Sequence, residues 1–205
     1  MAAYVFDCSF LSSDSLSQFY APARTTTGGL QALLDRLQQD EEWNSVSEIA
    51  YVLATIKWET MNTFTPIHEM GSLSYFDKYE PGTTIGQNLG NKEAGDGFLY
   101  RGRGYVQITG RDNYGHIGSL LGVDLLNNPD LALNADTAYT IAARGMREGW
   151  FTGRRLAQYM QAAGSPDYIN ARRIINGLDH AADISAFAQR FASTLTPPAS
   201  LVREI

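Results

Sequence analysis

A glutamate stands where a helical hydrophobic stripe predicts a buried residue. Within residues 47–60, apolar side chains recur at the three- and four-residue spacing of one helix face, namely Ile49, Val52, Leu53 and Ile56. Glu59 continues that face. A carboxyl group there is expected to be partly shielded from water and to lie near the negative end of the helix dipole, and both effects disfavour its charged form. Glu59 is therefore a candidate general acid, although a glutamate frayed out at the helix end is the simpler interpretation.

Several carboxylates that follow Glu59 could act as its partner. They are Glu69, Asp77, Glu80, Glu93 and Asp96. Two carboxyl groups of different proton affinity can cleave a glycosidic bond, because one protonates the leaving oxygen while the other activates water or attacks the sugar. Glu69 is the nearest strong candidate, since it lies in a loop after Pro66 that could fold back over the helix end. A loop glutamate is expected to be solvated and ionised, which suits a base. A plain surface glutamate is the alternative.

The stretch from Gly102 to Thr109 is a second candidate site. Glycines let a ligand approach the backbone closely. Residues 105–109 alternate as a half-buried strand does, with Phe98–Tyr100 as a possible pairing partner, and the ligand-facing set would be Tyr105, Gln107 and Thr109. Amide and hydroxyl groups on one strand face suit the hydroxyl and N-acetyl groups of a polysaccharide, and Asn113 could reach the same cleft. An ordinary turn and strand would explain the pattern equally well.

Aromatic and basic residues complete the set of candidate ligand contacts. Flat apolar faces for sugar rings could come from Tyr75, Tyr79, Tyr100, Tyr105 and Tyr114. Arg172 and Arg173 precede Asn176 by one helical turn, so either arginine could hydrogen-bond a carboxylate. Ion pairing for structure is the commoner role of such arginines.

Other chemistries have little support in the sequence. The three histidines, His68, His116 and His180, are not paired at the spacing of metal ligands. Phosphate-binding, dinucleotide-binding and serine-hydrolase motifs are missing. The net charge of −6 argues against a general nucleic-acid binder. We therefore expect no metal or organic cofactor and no nucleic-acid partner.

The elements that must position these residues are mostly helical. The 205 residues are 44% hydrophobic, which fits one domain with a real core. Helices are predicted around residues 30–37, 45–59, 134–150, 165–176 and 184–195, whereas residues 61–104 carry many glycines and prolines and predict a long functional loop. The sequence predicts a mainly α single domain, residues 1–205, with a small β element and an irregular leader over residues 1–26.

The N-terminal residues and the cysteine content suggest a cellular location. The first 15 residues have no basic region before their apolar residues, so they do not resemble a signal peptide. The sequence contains no run of 18 apolar residues, so it predicts no transmembrane helix. Cys8 is the only cysteine, which rules out an intrachain disulfide and suits synthesis in a reducing cytoplasm.

Several motifs together resemble glycoside hydrolase family 19, and most closely its phage endolysin branch. They are Trp58-Glu59-Thr60, Phe64–Glu69, Tyr75–Pro81, Gly90-Asn91, Gly95-Asp96-Gly97, Tyr100–Tyr114 and the late segment ARRIINGLD. The likeness covers roughly residues 45–195, and residues 100–114 are its most specific part. It implies a lysozyme-like, mostly helical fold and hydrolysis, with inversion, of a β-1,4 bond between amino sugars.

The resemblance also implies roles for individual residues. The family's catalytic acid falls on Glu59 and its base on Glu69, with Glu80 as the alternative because plant members place their base further along the chain. Thr109 falls on a position that binds sugar or orients the attacking water. The predicted substrate-binding residues, taken from both lines of reasoning, are Tyr75, Glu80, Arg103, Tyr105, Gln107, Asn113 and Asn176.

The chain departs from the family pattern close to the expected acid. Trp58 stands where the family often has histidine or arginine, and Met61-Asn62 replaces a frequent glycine pair. The plant disulfides are also absent, which fits a bacterial or phage product made inside the cell. The glycine change affects the loop geometry that would decide between Glu69 and Glu80.

The expected function is that of a phage endolysin that hydrolyses the glycan strands of peptidoglycan. We expect it to act as a monomer without stable membrane association, and to remain in the host cytoplasm until release to the periplasm and cell wall. Inversion leaves room for a water molecule and predicts a carboxyl separation of about 6.5–9.5 Å. The alternatives are a chitinase on the same scaffold, a non-catalytic wall-binding module, and a virion protein that uses the same activity for DNA entry.

Overall fold

The structure, a computed structural model, describes residues 27–160 and 165–195. The predicted irregular leader, with Cys8, lies outside the described residues. The chain divides into two compact units, one formed by the residues up to Thr65 together with those from Ala143 onward, the other by Pro66–Ala142.

The described part of the chain is mainly helical, as predicted. Its α-helices are α1 (Thr27–Gln39), α2 (Val46–Glu59), α3 (Thr84–Asn88), α4 (Asp96–Leu99), α5 (Arg111–Leu121), α6 (Ala135–Glu148), α7 (Tyr168–Ala171) and α8 (Ala181–Thr194). Short 3₁₀-helices cover Leu73–Tyr79, Pro129–Leu133, Leu156–Gln158 and Arg172–Ile174. The small β element is an antiparallel pair, β1 (Ile67–His68) and β2 (Arg103–Gly104), in which Ile67 lies opposite Gly104 and His68 opposite Arg103.

Helix α2 lies at the centre of the first unit. It begins where predicted, because the Ser45 hydroxyl accepts a hydrogen bond from the Glu48 amide at 3.2 Å and the Glu48 carboxylate accepts one from the Asn44 amide at 3.0 Å. Every residue from Glu48 to Lys57 is buried, so the helix is covered on all sides rather than along one stripe. Helix α8 packs against it and buries Ile184, Ala188 and Phe191.

A left-handed turn ends α2 and fixes the position of its last residue, Glu59. The Thr60 hydroxyl is fully buried, donates to a carbonyl one turn back at 2.6 Å and accepts from the Phe64 amide at 3.1 Å. Met61 and Asn62 follow with φ of 51° and 66°, a conformation that favours glycine. These are the two positions at which the family resemblance leads us to expect a glycine pair, so the turn keeps a glycine-like backbone without glycine.

The region predicted to be a long loop, residues 61–104, instead contains β1 and three short helical segments. Ser72 caps the 3₁₀-helix Leu73–Tyr79 by accepting a hydrogen bond from the Tyr75 amide at 3.2 Å. Thr83 caps α3 in the same way, through the Gly86 amide at 2.9 Å. Segments of four to seven residues are too short to show a helical period, so the sequence pattern could not reveal them.

The strand predicted over residues 105–109 is wrong. Residues 105–107 form a turn in which Gln107 has φ of 55°, and Ile108 bonds back to Arg103 through two backbone hydrogen bonds of 3.1 and 3.2 Å. Phe98 and Leu99 of the suggested partner belong to α4, and the strand that is present, β1, pairs with Arg103–Gly104. Because the turn is packed on both sides, Tyr105 and Val106 are both buried, and their alternation with polar residues does not mark two faces of a strand.

Two further helix starts can be compared with the sequence. Of the two caps that the sequence offers for α6, Asn134 and Asp136, the structure uses Asn134, whose side-chain oxygen accepts from the Asp136 and Thr137 amides at 3.0 and 3.2 Å. The helix predicted from Ser165 begins later, at Tyr168, because Asp167 provides the cap.

Candidate active site

Glu59 is the last residue of α2, and its side chain is 16% exposed. Its Oε1 accepts a hydrogen bond from Nη1 of Arg172 at 2.6 Å, and the Arg172 side chain is only 3% exposed. The same guanidinium contacts Asp179, with Nη2 at 3.4 Å from the carboxylate and Nε at 3.2 Å from the backbone carbonyl. The predicted shielding of Glu59 is therefore present, together with a cationic partner that the sequence indicated only as one of two arginines.

Arg172 changes the electrostatic picture of the candidate acid. Burial and the negative end of the helix favour the protonated carboxyl group, whereas the guanidinium favours the carboxylate. Glu59 therefore combines the shielded position that the sequence predicts with a charged partner that opposes the effect of shielding. To act as an acid, Glu59 must hold its proton in competition with this ion pair.

Other ionisable and aromatic groups surround the end of α2. Lys57 is 1% exposed, its Nζ donates to Oδ1 of Asn62, and the nitrogen lies 4.8 Å from the centre of the Phe187 ring. Burial, and then the charge of Arg190, lower the pKa of Lys57 to about 8. Trp58, which replaces the histidine or arginine frequent in the family, packs against His180 with ring centres 4.5 Å apart.

Glu69 follows β1 in the second unit, and three groups hold its carboxylate. Oη of Tyr79 donates to Oε1 at 2.9 Å, the amide of Gly102 donates to Oε2 at 3.1 Å, and Nζ of Lys78 lies 3.7 Å from Oε1. The side chain is 19% exposed, so Glu69 is less solvated than a loop glutamate was expected to be. Protein donors therefore contact both of its carboxylate oxygens.

Gly102 allows Glu69 and Gln107 to approach each other. A Cβ at this position would lie 2.9 Å from Oε1 of Gln107 and 3.2 Å from Oε2 of Glu69. Nε2 of Gln107 donates to the carbonyls of Ile67 and Gly104, at 2.9 Å each. These two hydrogen bonds fix the side-chain amide of Gln107, so that its oxygen lies near Gly102, as the Glu69 carboxylate does.

Gln107, Thr109 and Asn113 form one hydrogen-bonded chain in the unit that contains Glu69. Oγ1 of Thr109 donates to the Gln107 carbonyl at 2.9 Å, and Nδ2 of Asn113 donates to the Thr109 carbonyl at 2.7 Å. The Thr109 oxygen therefore keeps lone pairs with which it could accept a hydrogen bond from a water molecule. The structure brings these three predicted residues together, and their roles towards sugar and water remain predictions.

Glu80 anchors the start of α4. Its Oε2 accepts from the Gly95 amide at 2.8 Å and its Oε1 accepts from the Gly97 amide at 3.0 Å. Because both oxygens are occupied by backbone donors, removal of the carboxylate would leave two amides without their partner. This arrangement gives Glu80 a structural role at the start of α4.

Arg103 and Tyr105 are buried, with 3% and 2% of their surface exposed. Nε of Arg103 pairs with Asp130 at 2.7 Å, and its Nη1 donates to Oη of Tyr114 at 3.0 Å. In this structure neither residue presents a surface to a sugar, because both side chains are buried. Tyr100 and Tyr114 are equally buried.

Three predicted sugar contacts are exposed, namely Tyr75, Asn113 and Asn176. Tyr75, on the 3₁₀-helix Leu73–Tyr79, is 44% exposed and offers an aromatic surface in the second unit. Asn176 is exposed in the first unit, just after the 3₁₀-helix Arg172–Ile174. Their binding of substrate remains a prediction.

Metal-binding clusters and membrane-spanning helices are absent from the described ranges, 27–160 and 165–195. No group of three or more His, Cys, Asp or Glu side chains there is placed to hold a metal ion. None of the helices in those ranges is both long and apolar enough to cross a membrane.

The fold is that of a lysozyme-like, mainly helical protein. The chain belongs to glycoside hydrolase family 19, since the family model described as class I chitinase matches residues 38–153. The family predicted from the sequence is thus confirmed, and the branch within it remains a prediction.

Similar proteins agree with this family. A glycosyl hydrolase family 19 domain-containing protein of Haemophilus influenzae is 45% identical over 53 residues, which is 26% of each chain. Endochitinase 1 of Theobroma cacao is 54% identical over 41 residues, 20% of this chain and 13% of the relative. These matches therefore span about a quarter or less of the curated relatives.

A solved structure shows the fold over nearly the whole chain. Chitinase C from Streptomyces griseus matches with a TM-score of 0.60 and 22% identity, covering 92% of this chain and 96% of the other. At this identity the likeness defines the fold alone.

Proposed function

We propose that the protein hydrolyses β-1,4 glycosidic bonds in the glycan strands of bacterial peptidoglycan, and that it serves host cell lysis as an endolysin. The observation that carries the hydrolytic part is the presence of two shielded carboxyl groups in different surroundings. Glu59 is paired with the buried Arg172, and Glu69 lies among the Tyr79 hydroxyl, the Gly102 amide and the Lys78 ammonium.

In the proposed reaction, protonated Glu59 gives its proton to the leaving glycosidic oxygen. Glu69, as a carboxylate, takes a proton from a water molecule whose oxygen attacks the anomeric carbon from the opposite face of the ring, and Thr109 orients that water. The glycosidic bond breaks as the new carbon–oxygen bond forms, so the configuration at the anomeric carbon is inverted. Both proton transfers use carboxyl groups of the protein, and the reaction needs no metal or organic cofactor.

Support for peptidoglycan as the polymer comes from the sequence. The motifs around residues 100–114 resemble the endolysin branch of the family. Chitin is the second candidate, because the matching family model is described as class I chitinase and a relative is an endochitinase. We further propose that the protein is a monomer without stable membrane association and that it remains in the host cytoplasm until it is released to the wall. We expect no binding to nucleic acid, in keeping with a net charge of −6.

The catalytic assignment is tested with the variants Glu59→Gln and Glu69→Gln. Each should keep the far-ultraviolet circular dichroism spectrum of the wild type and lose at least about 100-fold in the release of reducing ends from purified peptidoglycan, since positioned acid–base groups contribute about 10²–10⁴-fold. Glu41→Gln is the matched control, because Glu41 is an exposed glutamate of the unit that contains Glu59. Clearing of cell walls at the wild-type rate by Glu59→Gln would refute the mechanism.

The polymer is tested by comparing turnover of purified peptidoglycan and purified chitin under the same conditions. Faster turnover of chitin would replace the endolysin by a chitinase on the same scaffold. Sugar binding without release of reducing ends from either polymer would indicate the non-catalytic wall-binding module. Mass spectrometry of the products identifies the sugar at the new reducing end, and proton NMR during the first minutes should show the α-anomer that inversion produces.

A further inference from the structure

We propose that Lys78 and Tyr79 are positioning residues that keep the Glu69 carboxylate ionised and oriented for its reaction with water. The inference rests on the proposed function, in which Glu69 is the general base. The two residues would act through Glu69 and need not touch the substrate.

The geometry around Glu69 places both residues on one carboxylate oxygen. Lys78 and Tyr79 are consecutive at the end of the 3₁₀-helix Leu73–Tyr79. The Tyr79 hydroxyl donates to Oε1 at 2.9 Å, and the Lys78 ammonium lies 3.7 Å from the same atom. The Gly102 amide holds the other oxygen at 3.1 Å. With donors on both oxygens, the carboxylate has little freedom to rotate about its terminal torsion.

The ammonium of Lys78 is itself held in place by aromatic rings. Its Nζ lies 3.5 Å from the centre of the Tyr75 ring and 4.5 Å from that of Tyr79, within the range of cation–π attraction. A 3₁₀-helix brings residues three apart to the same side, which places Tyr75 beside Lys78. Although 35% of the Lys78 side chain is exposed, these contacts localise a side chain that would otherwise move freely in water.

The protonation states of both residues suit the role. Burial alone lowers the pKa of Lys78, but hydrogen bonding with Tyr75 and Tyr79 and the negative charge of Glu69 outweigh it and raise the pKa above its ordinary value. Burial, followed by the charge of Glu69, raises the pKa of Tyr79. The ammonium therefore keeps its charge, and the phenol keeps the proton it donates, throughout the pH range in which a glutamate titrates.

Other charged groups on the neighbouring elements leave Lys78 as the cation nearest to the carboxylate. On β1, burial and then the charges of Arg101 and Arg103 lower the pKa of His68. Arg103 is paired with Asp130, and Nη2 of Arg101 lies 3.3 Å from Nδ1 of His68. On the 3₁₀-helix itself, Asp77 is exposed. Within the described residues, Lys78 is the cation that forms a salt bridge with Glu69.

The test measures kcat and kcat/KM on peptidoglycan against pH for Lys78→Met, Tyr79→Phe and Lys78→Arg. The base must be ionised, so losing either the cation or the phenolic proton should move the acidic limb of the profile upward by about half to one pH unit. Lys78→Arg keeps the charge and should keep the wild-type limb. Lys92→Met is the matched control, since Lys92 is an exposed lysine of the same unit and its removal changes the net charge equally.

Two results would overturn the proposal. One is an acidic limb that stays in place in both Lys78→Met and Tyr79→Phe while activity falls equally at every pH, as expected if the residues only support the fold. The other is a limb that moves as far in Lys92→Met, which would indicate a long-range charge effect.

A second readout separates this proposal from the proposed function. The carboxyl carbon of Glu69 can be followed by ¹³C NMR in protein labelled at glutamate, with Glu69→Gln used to assign the signal. A titration midpoint that rises in Lys78→Met and Tyr79→Phe supports the positioning role even if the wild type cleaves no glycan, in which case only the proposed function fails. An unchanged midpoint overturns the positioning role.

Discussion

Asp96 gives the clearest quantitative prediction, because its carboxylate is buried and fully engaged. The residue is 2% exposed. Its Oδ2 accepts from the backbone amides of Lys92 and Glu93 at 2.7 and 3.0 Å, and the guanidinium of Arg111 binds both oxygens in a fork at 2.6 and 2.7 Å. Asp96→Asn removes the charge while keeping the shape, so it should weaken the anchoring of α4 and of the N-terminal end of α5.

The expected magnitude follows from the pKa of Asp96. Burial alone raises this pKa, but the Arg111 hydrogen bonds and the two backbone amides lower it from its ordinary value of 3.8 to about 2. That difference, at about 1.4 kcal/mol per pH unit, corresponds to about 2 kcal/mol of stabilisation. Because the folded-state pKa is the lower one, the stabilisation is complete above pH 4 and is lost as the pH falls from about 4 to about 2.

Urea unfolding of the wild type and Asp96→Asn at pH 7, 4 and 2.5 measures this effect, followed by both fluorescence and circular dichroism. The variant should be less stable by about 2 kcal/mol at pH 7, and the two proteins should converge towards pH 2.5, where the wild-type carboxylate is becoming protonated. The exposed Asp112→Asn, in the same unit, is the control and should change little. A stability difference for Asp96→Asn that stays constant from pH 7 to pH 2.5 would refute the reasoning.

Three further predictions concern the end of α2. Lys57→Met should raise the free energy of unfolding by about 1–3 kcal/mol at pH 7 in urea unfolding, because the folded protein disfavours the buried charge. The gain should shrink between pH 8 and 10, since the lowered pKa of Lys57 in the folded state makes the wild type more stable as the pH rises. Met61→Gly should stabilise by up to about 1 kcal/mol in thermal unfolding by relieving a residue at φ of 51°, whereas Met61→Ala should not. Arg172→Met should move the basic limb of the pH–rate profile upward, because loss of the cation lets Glu59 keep its proton to higher pH, while Arg172→Lys should leave it near the wild-type position.

Long helices were predictable because their signal is local. Helices α2 and α8 each have 14 residues, long enough to show several turns of apolar spacing, and Ser45 provides a recognisable cap. The candidate acid was found by the same logic, as a carboxyl group that interrupts a buried stripe. The short segments after Glu59 carry no such period, so the sequence pattern predicts a loop where the structure has β1, β2 and three short helical segments.

Contacts between distant residues could not be predicted in the same way. Arg172 lies 113 residues from Glu59 along the chain, and no local pattern records which carboxylate it meets. Tyr79 and Lys78 reach Glu69 only because a 3₁₀-helix ends beside β1. The alternating residues around Tyr105 were misleading for a related reason, since burial on both sides of a turn produces the same sequence as a half-buried strand.

Exposure alone would not assign the acid and the base, because Glu59 and Glu69 are nearly equally shielded, at 16% and 19%. Their donors differ. Among the described residues, Glu59 accepts one hydrogen bond, from an arginine that it shares with Asp179, and it lies at the negative end of a helix. Glu69 accepts from a phenol and a backbone amide and faces an ammonium group that no other carboxylate of the described chain shares. The two carboxylates therefore differ in their hydrogen-bond partners rather than in their exposure.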